Sequence, residues 1–536
     1  MRTQKPAPPV SRFRDGWIAV GLTLLAWLHR LAFLRSNRDW SWPYTIFYEG
    51  DSEVFYSYAR SILGGKLYDN GIPFHPPGFA WILAFVHQLL GAGDAAARVP
   101  YFAEKATVAL IGSLSIGLLY LLARPYVGRT VALLAAFLGI YSFGLYVLHV
   151  APVTEGTYQT LFFLCLLFWT RRFEHPLSAP SDEKKPRRAG PVGAVLLGLL
   201  LGLLALIRVE GAIVGLILGC VGLWGWMREA RVEGRRDRAA LRPWLLVLIG
   251  WILAVAPWTV RNANVLSAAN ARLGLAEPLP TFVPLTIYGP INLALANNDQ
   301  ADGTFSRAFL SSASHSGVLD LKDPQHLRFI LHGDEMARDW ALHNPGAALR
   351  LLGRKWSHFF EAWRLGWTQW NVPGGLHGFR RPVDVFVPDS TLALWLNLLL
   401  AALGLVLVLG TAGAARRWGV LVLLMTCVGL VATGLFFGYV RQGLLYLPLW
   451  LTFSAAALAA IVRRLTHRGE GWRLAPPADP GPRLLKILGG CALALLLLEG
   501  WGATRDRNYK ASGNTVEGSQ YLNRDELMKL EVLPGE

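Results

Sequence analysis

Two carboxylates one residue apart, Glu49 and Asp51, stand near the start of residues 48–78, YEGDSEVFYSYARSILGGKLYDNGIPFHPPG. A carboxylate held where water meets lipid can take a proton from an attacking hydroxyl or amine. Asp51 also precedes Phe55, Tyr58, Ala59 and Ile62, which recur at the spacing of a helix with one apolar face. Such a helix suits a position flat on a membrane. Asp is favoured at helix N-caps, so capping and proton abstraction are both open to Asp51. The stretch ends in the stiff corner His75-Pro76-Pro77-Gly78. Its two prolines make the corner mostly a matter of shape, with the His75 imidazole available for a polar contact.

Other charged residues sit at the ends of apolar runs. Glu155 stands just before one. It reads either as an ordinary acid at a span end or as a second carboxylate facing the cavity of Asp51. In the second reading it orients an acceptor or shares a divalent metal with Asp51. Arg208 and Glu210 flank a very short turn. They form a local pair closing that turn, or else Arg208 contacts a phosphate or a sugar. Arg441, in YVRQGLLYLP, falls at the outer end of a late span. Arginines favour the cytoplasmic side, so one on the outer side points to an anionic partner. Its guanidinium can hold a phosphate at two points.

The elements that must position these residues are apolar spans. Of the 536 residues, 53% are hydrophobic and only 16% charged, against about 25% charged in soluble domains. The spans read as 17–34, 101–122, 131–150, 157–169, 192–207, 212–226, 245–260, 392–410, 419–437, 444–462 and 484–498. Residues 79–90 are apolar but shorter than the roughly 20 residues a crossing needs. Basic loops at 171–190, 227–243, 411–418 and 463–483 belong in the cytoplasm. Parity then requires 79–90 to be re-entrant or to lie against the membrane. The fold class is an all-α, polytopic membrane protein of about eleven spans, N-terminus inside and C-terminal tail outside. The spans read as nearly free of polar residues, whereas the outer face collects Glu49, Asp51, Glu155, Arg208, Glu210 and Arg441.

A formal net charge of +16 lies in short clusters between apolar runs. That is the pattern of membrane topology, and it excludes a nucleic-acid partner as the reading of choice. Cys165, Cys220, Cys427 and Cys491 each lie alone in an apolar run, without metal or disulfide spacing, and read as buried small apolar residues. Residues 326–342 and 345–363 read as amphipathic helices of a long outer loop, the second carrying Arg350, Arg354 and Lys355 toward anionic head groups. Residues 367–388, rich in Gly, Pro and aromatics, read as an ordered loop.

With these residues in view, the chain resembles the GT-C glycosyltransferases, in particular the protein O-mannosyltransferase-like enzymes of glycosyltransferase family 39 and the lipid A aminoarabinose transferases. The likeness rests on Asp51 ahead of its helix, on HPPG, on GLLLGLLALIRVEG (198–211), PWTVRN (257–262), INLALANN (291–298) and HNPGAALRLLGRKW (343–356), and on Arg441 with Tyr446 and Pro448. Val209 replaces the family's usual proline, and the Asp-Glu doublet is here Asp51-Ser52-Glu53. The resemblance implies a donor in which a sugar is linked to polyprenyl phosphate, with Asp51 as base and Glu155 as second acid. Arg441, Arg208 and Arg261 hold the phosphate, with Glu210, His75 and Glu49 completing the donor site. The acceptor is a lipid, a glycan or a protein, and a divalent metal is an open cofactor.

The implied layout is a cytoplasmic tail (1–16), a catalytic transmembrane module (17–260) with a first outer loop (35–100), a large outer loop (261–390), C-terminal spans (391–500) and an outer tail (501–536). The expected place is a bacterial inner membrane with the site on the periplasmic side. Two other readings stand beside it: a flippase or transporter of lipid-linked sugars, and an inactive scaffold of an envelope assembly complex.

Overall fold

The computed structural model describes residues 12–36, 51–66, 68–94, 99, 101–173, 190–232, 241–304, 321–363, 391–466 and 482–505. Every regular element among them is helical, as runs of Leu, Ala, Val and Gly without water to bond their backbones require. In chain order they begin with α1 (Arg12–Ser36), α2 (Asp51–Leu63), α3 (Gly78–Leu89), α4 (Tyr101–Val127), α5 (Arg129–Tyr141), α6 (Phe143–Val150) and α7 (Thr154–Arg172). Then come α8 (Pro191–Ile207), α9 (Glu210–Val232), α10 (Arg242–Leu273), α11 (Gly289–Ala296), α12 (Pro324–His343) and α13 (Pro345–Phe360). The last are α14 (Thr391–Gly410), α15 (Ala414–Leu435), α16 (Val440–Thr466) and α17 (Pro482–Arg505).

This is a multi-pass membrane protein. Five helices are long and apolar enough to cross a bilayer, at Arg14–Leu34, Phe102–Val127, Arg242–Leu273, Ala414–Leu435 and Val440–Thr466. Helices α5 and α6 make a sixth crossing if they count as one span. Eleven full spans therefore remains an expectation. With 12 residues, α3 reaches only about 18 Å at 1.5 Å per residue, too short to cross alone.

The single span expected over 131–150 is broken. Ser142 is extended, and α5 and α6 meet there at 68°. A break inside a membrane leaves carbonyls without helical donors. Arg30 of α1 fills that need. Its guanidinium donates to the carbonyls of Ile140 (3.2 Å) and Gly139 (3.5 Å), and lies 4.6 Å from the Tyr146 ring. Its Nε also meets His149 Nδ1 at 3.2 Å. His149 Nε2 lies 3.0 Å from Gln159 Oε1, and the Gln159 amide donates to the Leu444 carbonyl of α16 at 2.8 Å. A second buried group joins Asp15 to Tyr120, Arg124 and Arg129. The spans are thus not nearly free of polar groups, as the sequence suggested. Most of these contacts join residues far apart in the chain, from different helices.

Helices α11 and α12 build a small core of their own, in which Ile291 and Leu295 pack with Leu327, Phe329 and Ile330 and with Phe437. Asp323 fixes the start of α12, its carboxylate accepting from Gln325 N (2.8 Å) and His326 N (3.4 Å). Helix α13 turns Leu351, Lys355 and Phe359 inward at four-residue spacing. Arg350 and Arg354 stay exposed as expected, but Lys355 does not face head groups. It is 1% exposed, with its ammonium on Asn297 Oδ1 (2.8 Å) and the Gly434 carbonyl (3.0 Å). Of the cysteines, Cys165 is buried, but Cys220, Cys427 and Cys491 are exposed on helix surfaces. The loop 367–388 lies outside the described residues.

Candidate functional site

Glu155 is in the first turn of α7 and is 1% exposed. A buried carboxylate demands cationic or hydrogen-bonding partners. Arg208 supplies one from the link between α8 and α9. Its Nη1 lies 2.6 Å from Glu155 Oε1 and 2.9 Å from Thr154 Oγ1, and its Nη2 lies 2.9 Å from Glu210 Oε1. The link is tight because Gly211 abuts the end of α8. A Cβ there would lie 2.5 Å from the Leu204 carbonyl carbon. That close approach keeps the link short, with Arg208 and Glu210 paired across Val209.

A third strand of the chain reaches the same spot. Arg441, second residue of α16, brings Nε to 3.5 Å from Glu155 Oε1, and its guanidinium lies 4.7 Å from the Tyr439 ring. Burial pushes the Arg208 guanidinium down, but the Glu210 and Glu155 carboxylates outweigh it and hold the group up, so Arg208 stays charged. Its Nε has no hydrogen-bond partner among the described residues, and neither does the Tyr158 hydroxyl one turn along α7. The centre therefore holds two guanidiniums, two carboxylates and spare donors at the ends of three helices.

His75 and Arg261 belong to a neighbouring group built on the HPPG corner. The residue that organises it is Asp69, held in the left-handed region (φ 58°). Its Oδ2 accepts from Phe74 N (2.5 Å) and His75 N (3.2 Å), and its Oδ1 accepts from the Tyr58 hydroxyl. The Tyr58 oxygen lies 3.1 Å from His75 Nδ1. Burial pushes the Asp69 carboxyl up, against the opposing pull of His75 and Tyr58. Burial and the nearby Asp69 push the Tyr58 phenol far up, so it remains a donor. Arg261 donates to the Tyr68 carbonyl at 2.8 Å and lies 4.7 Å over the Trp258 ring. It is not among the arginines brought to Glu155.

The two groups adjoin through Gly78. A Cβ at Gly78 would lie 2.8 Å from the Leu206 carbonyl, so the HPPG corner rests on the chain just before Arg208. Phe55 of α2 packs on His75 (5.6 Å) and Phe79 (5.3 Å). Asp51 begins α2 four residues earlier, about 6 Å along the axis. The Asp51 side chain and all of Glu49 lie outside the described residues. Sequence reasoning missed Asp69 and counted Tyr58 only as part of an apolar face. The available signal was an Asp in the turn LYDNG, six residues before His75.

No group of three or more His, Cys, Asp or Glu side chains among the described residues is arranged to hold a metal ion. At Glu155 the donor set itself does not suit one, because two guanidiniums already lie within 3.5 Å of Oε1.

Against known proteins, residues 74–260 match the family described as dolichyl-phosphate-mannose-protein mannosyltransferase. The resemblance to protein O-mannosyltransferase-like enzymes holds over that stretch. It runs from the HPPG corner through Glu155, Arg208 and Glu210 to the residue before Arg261, and leaves Asp51 and Arg441 outside. No curated protein sequence matches. Among solved structures the chain is similar to the oligosaccharyltransferase AglB of Archaeoglobus fulgidus in complex with an inhibitory peptide and a dolichol-phosphate. That likeness has 14% identity and a TM-score of 0.44 over 92% of this chain and 56% of AglB. The chain thus spans little more than half of AglB. It is also similar to ArnT from Cupriavidus metallidurans, with 15% identity, a TM-score of 0.32 and coverage of 83% of this chain and 78% of ArnT in the apo state. For ArnT bound to undecaprenyl phosphate the values are 13%, 0.33, 84% and 78%.

Proposed function

We propose that this chain is an integral-membrane glycosyltransferase that moves a sugar from a polyprenyl-phosphate donor to a lipid, glycan or protein acceptor at the outer face of the membrane. The observation that carries the proposal is the meeting of Arg208 and Arg441 on buried Glu155 at the ends of helices. Glu155 acts there as an anchor. It fixes two guanidiniums that would otherwise sample many positions, and pre-set charges stabilise a transition state better than mobile ones.

In this mechanism Asp51 takes the acceptor's proton. The acceptor oxygen or nitrogen attacks the anomeric carbon, the bond to the phosphate oxygen breaks on the opposite face, and the configuration inverts. The polyprenyl phosphate leaves with one more negative charge than it carried in the donor. Arg441 and the spare Nε of Arg208 meet that charge, so the leaving group needs no general acid. Glu210 keeps Arg208 turned toward the centre. His75 and Arg261 serve the donor from the adjoining HPPG group. No step runs through a metal at Glu155, whose oxygen is taken.

A transporter of lipid-linked sugars is the other reading with an observation in its favour, the polar relay from Arg30 through His149 to Gln159. All three are fully buried, at 0% exposed, and their groups are spent on one another and on backbone carbonyls. The relay gives a head group no surface to follow, which favours chemistry at the helix ends. An inactive scaffold is separated by the same assay. Membranes carrying wild type, Asp51→Asn or Glu155→Gln receive labelled polyprenyl-phosphate sugars, with and without chelator, and label is followed into lipid, glycan and protein. Transfer by wild type that is lost in Asp51→Asn is the expected result. Undiminished transfer by Asp51→Asn refutes the base. The absence of transfer from every donor favours transporter or scaffold.

A further inference from the structure

The geometry points to a binding site for a neutral sugar residue of the acceptor in the cavity between the end of α11 and helix α12, with Trp340 stacking on the ring and Asp299 and Gln300 bonding its hydroxyls. The acceptor role rests on the proposed sugar transfer, whereas the sugar contact rests on the cavity alone.

The cavity has a volume of about 290 Å³, with Asn298, Asp299 and Gln300 on one wall and Met336 and Trp340 on the other. Asn298, 7% exposed, shapes the polar wall. Its amide donates to the carbonyls of Ala294 (2.9 Å) and Leu295 (3.0 Å), closing the end of α11, and its Oδ1 accepts from Gln300 N (2.8 Å). With Asn298 spent on the turn, the exposed side chains of Asp299 and Gln300 are left for a ligand. Across the cavity, Met336 and Trp340 are four residues apart in α12 and share a face. The Trp340 indole donates to Asp299 Oδ1 at 2.7 Å. That bond uses the indole's one N–H and one of roughly four acceptor positions on the carboxylate. Asp299 Oδ2 and the Gln300 carboxamide have no partner among the described residues.

These groups suit a sugar better than a charged ligand. An indole N–H lies in the plane of its ring, so the carboxylate it holds sits at the ring edge and not over the face. A cation over the face forgoes the carboxylate, and one at the carboxylate forgoes the face. A pyranose meets both, with its C–H side on the ring and its hydroxyls reaching the edge. The carboxylate accepts from those hydroxyls, and the Gln300 amide both donates and accepts. The same carboxylate repels a phosphate, which leaves the charged end of the donor to the arginine centre and this cavity to the acceptor. The chain ties the two places together. Asn297 donates to the Leu435 carbonyl at 2.8 Å, Lys355 bridges Asn297 and the Gly434 carbonyl, and Gly438 N donates to the Gly303 carbonyl at 2.7 Å. Four residue steps lead from Asp299 to Gly303 and three from Gly438 to Arg441. Their extended length sets the separation of Asp299 and Arg441 at or below roughly 30 Å, which a glycan of several residues can bridge.

The test is saturation-transfer NMR on the full chain in nanodiscs, with a panel of neutral methyl glycosides and with ethanolamine and glycerol phosphate as charged probes. The expected result is transfer to the C–H protons of at least one glycoside, lost in Trp340→Leu and weakened about tenfold in Asp299→Asn, the worth of one hydrogen bond. Gln300→Ala, a change at an exposed side chain, weakens it as well and guards against a loss caused by misfolding in Trp340→Leu. Glycoside binding that Asp299→Asn and Gln300→Ala leave unchanged overturns the site, as does a panel in which no glycoside binds. Stronger transfer to ethanolamine or glycerol phosphate overturns the ligand class. Binding is read here without turnover, so its failure is distinct from a failure of the transferase reading. In transfer assays Asp299→Asn raises the KM for the acceptor about tenfold. A fall in kcat at unchanged KM, or an acceptor that carries no sugar, overturns the acceptor role.

Discussion

Arg208 is held by two carboxylates, whereas Glu155 is held mainly by Arg208, and this asymmetry makes a quantitative prediction. Replacing Arg208 with Gln removes contacts of 2.6 and 2.9 Å and leaves buried Glu155 with Arg441 at 3.5 Å and one hydroxyl. Breaking a buried pair from one side costs about 3–5 kcal/mol, because an uncompensated charge remains. Glu155→Gln is milder. Arg208 keeps Glu210 at 2.9 Å, and the change trades a charged hydrogen bond for a neutral one, about 1–2 kcal/mol. In the double variant the stranded charge at Glu155 is gone, so the two costs do not add. The coupling should be about 2 kcal/mol, inside the range for residues in contact. Reversible unfolding of all four proteins in mixed micelles measures it. Additivity within ~0.5 kcal/mol, the behaviour of independent sites, refutes the anchor role given to Glu155.

Lys355 should make stability depend on pH. Burial pushes its ammonium down to about 7 from an unfolded value of 10.5. Unfolding therefore takes up a proton between those values, and stability climbs as pH rises from about 7, by at most about 1.4 kcal/mol per pH unit. Lys355→Met should lose that climb, and matching slopes in the two proteins would contradict it. Gly211→Ala forces a methyl to 2.5 Å from backbone carbon of Leu204. Overpacking of this kind costs about 1–3 kcal/mol, read as a lowered unfolding midpoint, with Arg208 displaced and transfer weakened; an unchanged midpoint shows that the link is loose. Arg30→Met should destabilise by more than its apolar surface suggests, since the carbonyls of Gly139 and Ile140 lose their donor. A neutral result in unfolding would mean that the α5–α6 break does not depend on it.

Much of this arrangement was legible in the sequence for simple reasons. Periodic signals carry helices, so α12 and α13 emerge close to residues 326–342 and 345–363. Charges at span ends also stand out, because apolar surroundings make them costly, and Glu155, Arg208, Glu210 and Arg441 do converge. The mode of convergence was not legible. Glu155 looked like a carboxylate available to an acceptor, and only the fold shows it closed off by two arginines. Arg30 and the break at Ser142 escaped notice because each sits in a run that stays apolar enough to read as a span, and their relation spans more than a hundred residues of chain. Asp69 was hidden in an ordinary turn motif. Its importance comes from a backbone conformation and from Tyr58 and His75, which no local pattern announces. Lys355 shared a basic cluster with Arg350 and Arg354, and helical phase alone set it apart.

Stabilisation of a departing lipid phosphate by the arginine pair is tested at Arg441, the second residue of α16, which Glu155 holds less closely than it holds Arg208. Protein in nanodiscs would be given saturating polyprenyl-phosphate sugar and acceptor, and release of polyprenyl phosphate timed for wild type, Arg441→Lys and Arg441→Ala. Loss of one such donor lowers kcat by about 10²–10³. A fall of that size is expected for Ala, with Lys between Ala and wild type because it keeps the charge without the fork. An Arg441→Ala protein that stays folded and releases polyprenyl phosphate at the wild-type rate would contradict it.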